Sequence, residues 1–224
     1  MPKTAISFKV PEKLWGDFKH QTDRLFISRA PFLNYMLHSE LVYLREDLAG
    51  MKLSLRAKRH ISGQLKRSGA MSVNIEVDPE TANALRAAVK GHNLVRDAFL
   101  CRLIIFLRST DAFLKLLEIP RTTDSHWSLG LEEMPSSPLG AMEAVRDDPL
   151  YYVRSHLRAY YECGVYSVRL PERLDWAACY LSDENVPGTA SHRKREKQDQ
   201  EMFALLDMPA PKQPSIRHSR GRTK

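Results

Sequence analysis

The sequence predicts a mainly helical protein carrying a short two-stranded β-ribbon. A strand–helix–helix unit occurs twice and a helix-rich C-terminal extension follows. Three observations lead there. A ten-residue phrase occurs near both ends, ISFKVPEKLW at 6–15 and YSVRLPERLD at 166–175, and its first half alternates apolar and polar residues. That period of two describes a strand with one wet face. The pattern around the first copy returns when the chain is slid along itself by 67 residues. Between and after these segments, apolar residues fall at helical spacing.

In chain order, the strand at 6–10 places Ile6, Phe8 and Val10 on one face and Ala5, Ser7 and Lys9 on the other. Pro11 and Glu12 then suit a first helical turn, because Pro has no donor to orphan there and Glu complements the helix dipole. A helix over 11–23 would bury Leu14, Trp15 and Phe18, with a short break at 24–27. Ser28 reads as an N-cap, with Pro31 in the permitted first turn of a second helix. Phe32, Leu33, Met36, Leu37, Leu41 and Leu44 form its broad apolar stripe.

The shift by 67 puts Val73, Ile75 and Val77 on Ile6, Phe8 and Val10, then Leu85 on Phe18, Arg96 on Arg29, Phe99 on Phe32 and Leu103 on Met36. Self-similarity at a fixed period is the mark of a duplicated supersecondary unit. It predicts a strand at 71–77, a helix at 79–90, a break at 91–93 and a second helix from about Val95. Phe99, Leu100, Leu103, Ile104, Ile105, Phe106 and Leu107 leave that last helix little polar face, so it should be buried on most sides.

Strand, helix, short break and longer apolar helix in this order resemble the ribbon–helix–helix family of DNA-binding proteins. The likeness covers 4–48 and 71–108, and only the strand and helix start at 165–176. The resemblance implies that two units pair their strands into an antiparallel ribbon that enters the major groove of double-stranded DNA. Base contacts would come from Ala5, Ser7 and Lys9. Lysine can reach guanine N7 and O6, serine can serve several bases, and alanine can pack on a thymine methyl. Phosphate contacts would come from Ser28 and Arg29 at a helix N-terminus, and from Lys3, Arg56, Lys58 and Arg59. The plainer reading makes Ser7 and Lys9 the solvated face of an edge strand and Ser28 a helix cap.

The copies differ. The second strand presents Ser72, Asn74 and Glu76, and Val95 replaces Ser28. Glutamate can accept from cytosine N4 but repels phosphates, so Ser72 and Asn74 are secondary candidates. The third copy offers Ser167 and Arg169 on a ribbon-like strand at 165–171, without a full apolar helix behind it. Charge follows the same ranking: residues 1–70 carry a net +7, 71–150 a net −4 and 151–224 a net +4. Basic regions supply the salt-dependent part of DNA affinity. No acidic residue lies in 49–70, a basic segment that reads as a linker, either solvated or following the phosphate backbone.

The expected division is therefore unit 1 at 1–48, basic linker 49–70, unit 2 at 71–118, linker 119–140, helix-rich extension 141–208 and a basic disordered tail 209–224. In the extension, Asp148 and Pro149 should start a helix carrying Leu150, Val153, Leu157 and Tyr161. Met202, Phe203, Leu205 and Leu206 should form a last short one.

Other chemistry is sparse. Cys101, Cys163 and Cys179 are widely spaced and read as reduced core or structural thiols. The eight histidines show no metal-ligand spacing, and the 10 glycines form no phosphate-cradling loop. No catalytic residue, metal or cofactor is expected, nor a membrane span. The resemblance implies a cytoplasmic, nucleoid-associated regulator of transcription in a prokaryote. A DNA-binding accessory of conjugative transfer, or an antitoxin that regulates its own gene, remains open. A homodimer is expected, because ribbon strands are consumed in pairs and a third strand would need a partner. The extension is a possible docking point for another protein.

Overall fold

Alternating residues in two distant segments meet in one ribbon. The computed structural model describes residues 3–119 and 137–205. β1 (Thr4–Pro11) pairs antiparallel with β2 (Ala70–Val77), with Ala5 opposite Glu76, Ser7 opposite Asn74 and Lys9 opposite Ser72. Ile6, Phe8, Val10, Val73, Ile75 and Val77 are buried, and the alternate side chains are exposed. Turning six apolar side chains inward is what a two-stranded ribbon needs, since it is not stable alone.

After β1 comes α1 (Glu12–Arg24), with Pro11 at its N-cap position and Leu14 and Phe18 buried. Trp15 meets Phe8 edge-on at 6.2 Å between ring centroids. α1 ends in a turn whose Phe26 has a φ of 54° and is almost fully exposed. α2 (Arg29–Asp47) buries Leu33, Met36, Leu37, Leu41 and Leu44, the stripe expected of it. After β2 come α4 (Pro79–Gly91) and α5 (Arg96–Leu107), the latter buried continuously from Ala98 to Phe106. Each long helix packs on the other segment's strand, α2 on β2 and α5 on β1. Both segments therefore share one apolar core, and neither closes a core without the other.

The expected linker at 49–70 is mostly helix. α3 (Leu55–Arg67) is capped by Ser54, whose hydroxyl accepts from the Ala57 N–H at 3.1 Å, and buries Ala57, Ile61 and Leu65. Those three at i, i+4 and i+8 make an apolar stripe that the density of basic residues masks in the sequence. Gly69, at φ 68°, turns the chain from α3 into β2, a conformation that costs a residue with a Cβ.

α6 (Asp111–Leu116) follows α5. Of the expected linker at 119–140, residues 120–136 lie outside the described residues, and α7 (Pro138–Asp147) already occupies its end. α8 (Tyr151–Tyr161) buries Val153 and Leu157 as expected, but Tyr161 is exposed.

The segment 165–171 is not a strand, contrary to expectation. Its backbone groups are already engaged. The buried Arg102 donates to the Val165 carbonyl at 2.6 Å and to that of Val168, and the Asp47 carboxylate accepts from the Tyr166 N–H at 2.9 Å. Val168 N–H closes back onto the Gly164 carbonyl at 2.9 Å. Val165 and Tyr166 are both buried, so alternation is lost as well. A 3-10 turn (Glu172–Ala177) comes next.

Buried charge ties α8 and this segment to α2. Arg154 donates to Glu40 Oε1 at 2.5 Å and lies 3.5 Å above the Tyr43 ring, and the Tyr166 hydroxyl donates to Glu40 Oε2 at 2.7 Å. Burial raises the Glu40 carboxyl above its ordinary range, with Arg154 opposing the shift. Asp47 is raised for the same reason and opposed by the Tyr166 N–H.

Residues from Asp183 onward form a second unit. It contains a 3-10 turn (Asp183–Asn185) and α9 (Ala190–Leu205), a longer helix than the short one expected around 202–206. Thr189 Oγ1 accepts from the His192 N–H at 3.0 Å at the start of α9, and Arg195–Asp199 and Lys197–Glu201 pairs decorate its surface. The expected tail, 209–224, lies outside the described residues.

Candidate nucleic-acid interface

The outer face of the ribbon consists of Ala5, Ser7 and Lys9 on β1 and Ser72, Asn74 and Glu76 on β2, all exposed. Sheet geometry places them there, because the alternate residues anchor the strands in the core. The Ser7 and Ser72 hydroxyls lie 3.0 Å apart and form the one side-chain hydrogen bond of this face among the described residues. Lys9 and Glu76 have no ion-pair partner among the described residues. With one lysine and one glutamate, the face carries no net charge. It is rich in donors and acceptors and poor in attraction for phosphates.

The free edge of β1 is held from α5. The Lys9 N–H donates to Asp97 Oδ2 at 3.2 Å, and Arg96 donates to the Ser7 carbonyl and pairs with Asp97 at 3.0 Å. Just after β2, Asn34 of α2 exchanges two bonds with Asp78, accepting from its N–H at 2.8 Å and donating to its carboxylate at 2.6 Å. These contacts stop the ribbon from slipping in register.

The expected phosphate-contacting residues divide. Lys3 pairs with Asp78 at 2.7 Å, and this hydrogen bond, then the one from Asn34, holds the Asp78 carboxyl below its usual range. Ser28 is exposed at the N-cap position of α2, and its side chain makes no cap hydrogen bond. Arg29 is engaged by Asp23. Arg56 and Arg59 are exposed on α3, and Lys58 donates to Asn93 Oδ1 at 2.9 Å. Of the secondary candidates, Ser72 and Asn74 lie on the ribbon. Ser167 and Arg169 do not, since Ser167 Oγ accepts from the Gly164 N–H at 2.8 Å inside the turn.

Sequence reasoning missed the strand-edge roles of Asn34 and Asp97. It aligned Arg96 with Arg29, and that alignment was the available signal. It also missed Arg86 and Lys90, which line a groove of about 540 Å³ together with Lys58, Asn93 and Arg96.

Burial raises the Cys101 thiol and pushes that of Cys179 up to about 12, far from thiolate chemistry. Among the described residues no group of three or more His, Cys, Asp or Glu could hold a metal ion, and no helix is long and apolar enough to cross a membrane. Comparisons with family models, with curated proteins and with solved structures return no match.

Proposed function

We propose that this protein binds double-stranded DNA in a sequence-specific way, as a regulator of transcription, with the β1–β2 ribbon in the major groove. The observation that carries the reading is the register. Ser7 stands opposite Asn74, and Asn74 is also the counterpart of Ser7 under the shift by 67. A local two-fold axis between these two residues would pair Lys9 with Glu76, Ala5 with Ser72 and Phe26 with Asn93, and the last two share a left-handed backbone. The packing of α2 on β2 and of α5 on β1 supports reading the ribbon as built from two units of one chain.

Two strands about 4.8 Å apart fit a groove about 12 Å wide with room for side chains. Lys9 suits guanine N7 and O6, Asn74 suits adenine N6 and N7, and Ala5 suits a thymine methyl. Because the two strands display different residues, the preferred site is two-fold in outline and unsymmetrical in sequence. The unpaired-strand argument for a homodimer falls away, since β1 pairs with β2 and 165–171 is not a strand. The test is selection from a randomised duplex library, followed by binding of the selected site by Lys9→Ala and Asn74→Ala. Each should lose about 1–3 kcal/mol for its own base position. Failure of the unaltered chain to enrich any sequence would remove the proposal.

A further inference from the structure

A ribbon face without net charge leaves open where the attraction for phosphates comes from. α3 and α4 supply a place. Lys58 and Ser62 lie one helical turn apart on α3, and Arg86 and Lys90 lie one turn apart on α4. These four residues, with Arg96 and Asp97 at the start of α5, line the groove of about 540 Å³. Asp97 is already taken by Arg96 and by the Lys9 N–H. Lys58 and Arg86 meet only the neutral acceptors Asn93 and Asn83, and among the described residues neither they nor Lys90 has a carboxylate partner. Three uncompensated cations thus face one concavity.

The equivalent place in the first segment differs. Under the shift by 67, Lys90 corresponds to Asp23 and Arg96 to Arg29, and Asp23 neutralises Arg29. The positions that the same shift pairs with α3, 122–134, lie outside the described residues. The groove also starts at the ribbon itself, because Arg96 holds the Ser7 carbonyl.

We infer that the α3–α4 groove is a phosphate-ester site that grips the DNA backbone beside the β1 edge of the ribbon. This rests on the DNA-binding reading above and deepens it. The shared chemistry is a phosphate ester, and the two possible sources are a duplex backbone and a free nucleotide.

The test compares the full chain with Arg86→Ala/Lys90→Ala, both exposed positions on α4. Binding to the selected duplex is followed by fluorescence anisotropy between about 50 and 200 mM salt. The double variant should lower the slope of log affinity against log salt by about 2, since each phosphate contact contributes about 0.9. Sequence preference should be retained, and Lys115→Ala, exposed on α6, should bind as the unaltered chain does. An unchanged slope in the double variant, with Lys9→Ala still weakening the specific site, would overturn the groove and leave the ribbon reading intact. Loss of all sequence preference in the unaltered chain would instead strike the ribbon reading. In the second arm the chain is titrated with ATP alone. Absence of saturable binding supports the backbone as the source, and saturable binding that the double variant abolishes would overturn it in favour of a nucleotide site.

Discussion

Replacing Arg154 with methionine should destabilise the fold in a pH-dependent way. Arg154 and Glu40 are 4% and 1% exposed in their side chains and meet at 2.5 Å. Methionine fills the space of the arginine stem but leaves Glu40 with only the Tyr166 hydroxyl at 2.7 Å. An isolated carboxylate is not tolerated at that depth, so Glu40 takes up a proton. From an ordinary carboxyl value near 4.3 to pH 7, that costs about 3–4 kcal/mol at about 1.4 kcal/mol per unit. Loss of the guanidinium from above Tyr43 adds about 0.5–2 kcal/mol that does not depend on pH. In the variant the folded-state value of Glu40 lies above its unfolded one. Its penalty is therefore absent below about pH 4 and grows as pH rises, by about 1.4 kcal/mol per unit until the folded value is reached. Burial raises Glu40 in the unaltered protein as well, so the difference between the two proteins opens above the unaltered protein's folded value, and urea denaturation of both at several pH values measures it. Glu40→Leu/Arg154→Met should remove most of the pH-dependent part, since the buried orphan carboxyl is gone and Asp148, which Arg154 meets at 3.4 Å, is partly exposed. A difference that does not grow anywhere as pH rises would refute the reasoning.

Three further outcomes follow from the packing. Phe8→Ala should destabilise by about 3–5 kcal/mol, because a buried aromatic that anchors the ribbon is lost, and thermal unfolding checks it. Gly164→Ala should cost about 1–3 kcal/mol. A Cβ there would lie 2.1 Å or less from the Asp47 carboxylate and would push it off the Tyr166 N–H, a change seen as faster amide exchange at Tyr166. Glu76→Lys should raise affinity for mixed-sequence duplex and steepen its salt dependence by about one contact, read by the same anisotropy titration, because it exchanges a repulsive residue on the outer face for a cation.

Much of the ribbon and its helices was legible because period and burial agree there. Ile6, Phe8 and Val10 alternate in the sequence and in the fold, and the α2 stripe from Leu33 to Leu44 lies inside as its spacing demands. Exposure of Ala5, Ser7 and Lys9 followed from the same alternation. Legibility failed where tertiary contacts override local pattern. The second copy of the phrase, at 166–175, keeps the letters of a strand, but Arg102 and Asp47 claim its backbone from 63 and 119 residues away. α3 was obscured because Ala57, Ile61 and Leu65 are diluted by six basic residues at 49–70. The α3–α4 groove could not be read at all, since Lys58 and Lys90 come together through tertiary bonds, from Lys58 to Asn93 and from Asn93 and His92 back to residues 51–53. Arg29, a good candidate by position, is neutralised by Asp23 across a turn whose geometry the spacing does not reveal.

The claim that the ribbon reads the major groove is tested most directly by methylation interference on a selected duplex. Guanine N7 opens only into the major groove, and Lys9 is the residue that would meet it. The account predicts that N7 methylation at one or two guanines of the site abolishes binding of the unaltered chain, and that Lys9→Ala no longer senses at least one of them. Binding that tolerates N7 methylation at every guanine, or that Lys9→Ala leaves unchanged in pattern, would contradict it.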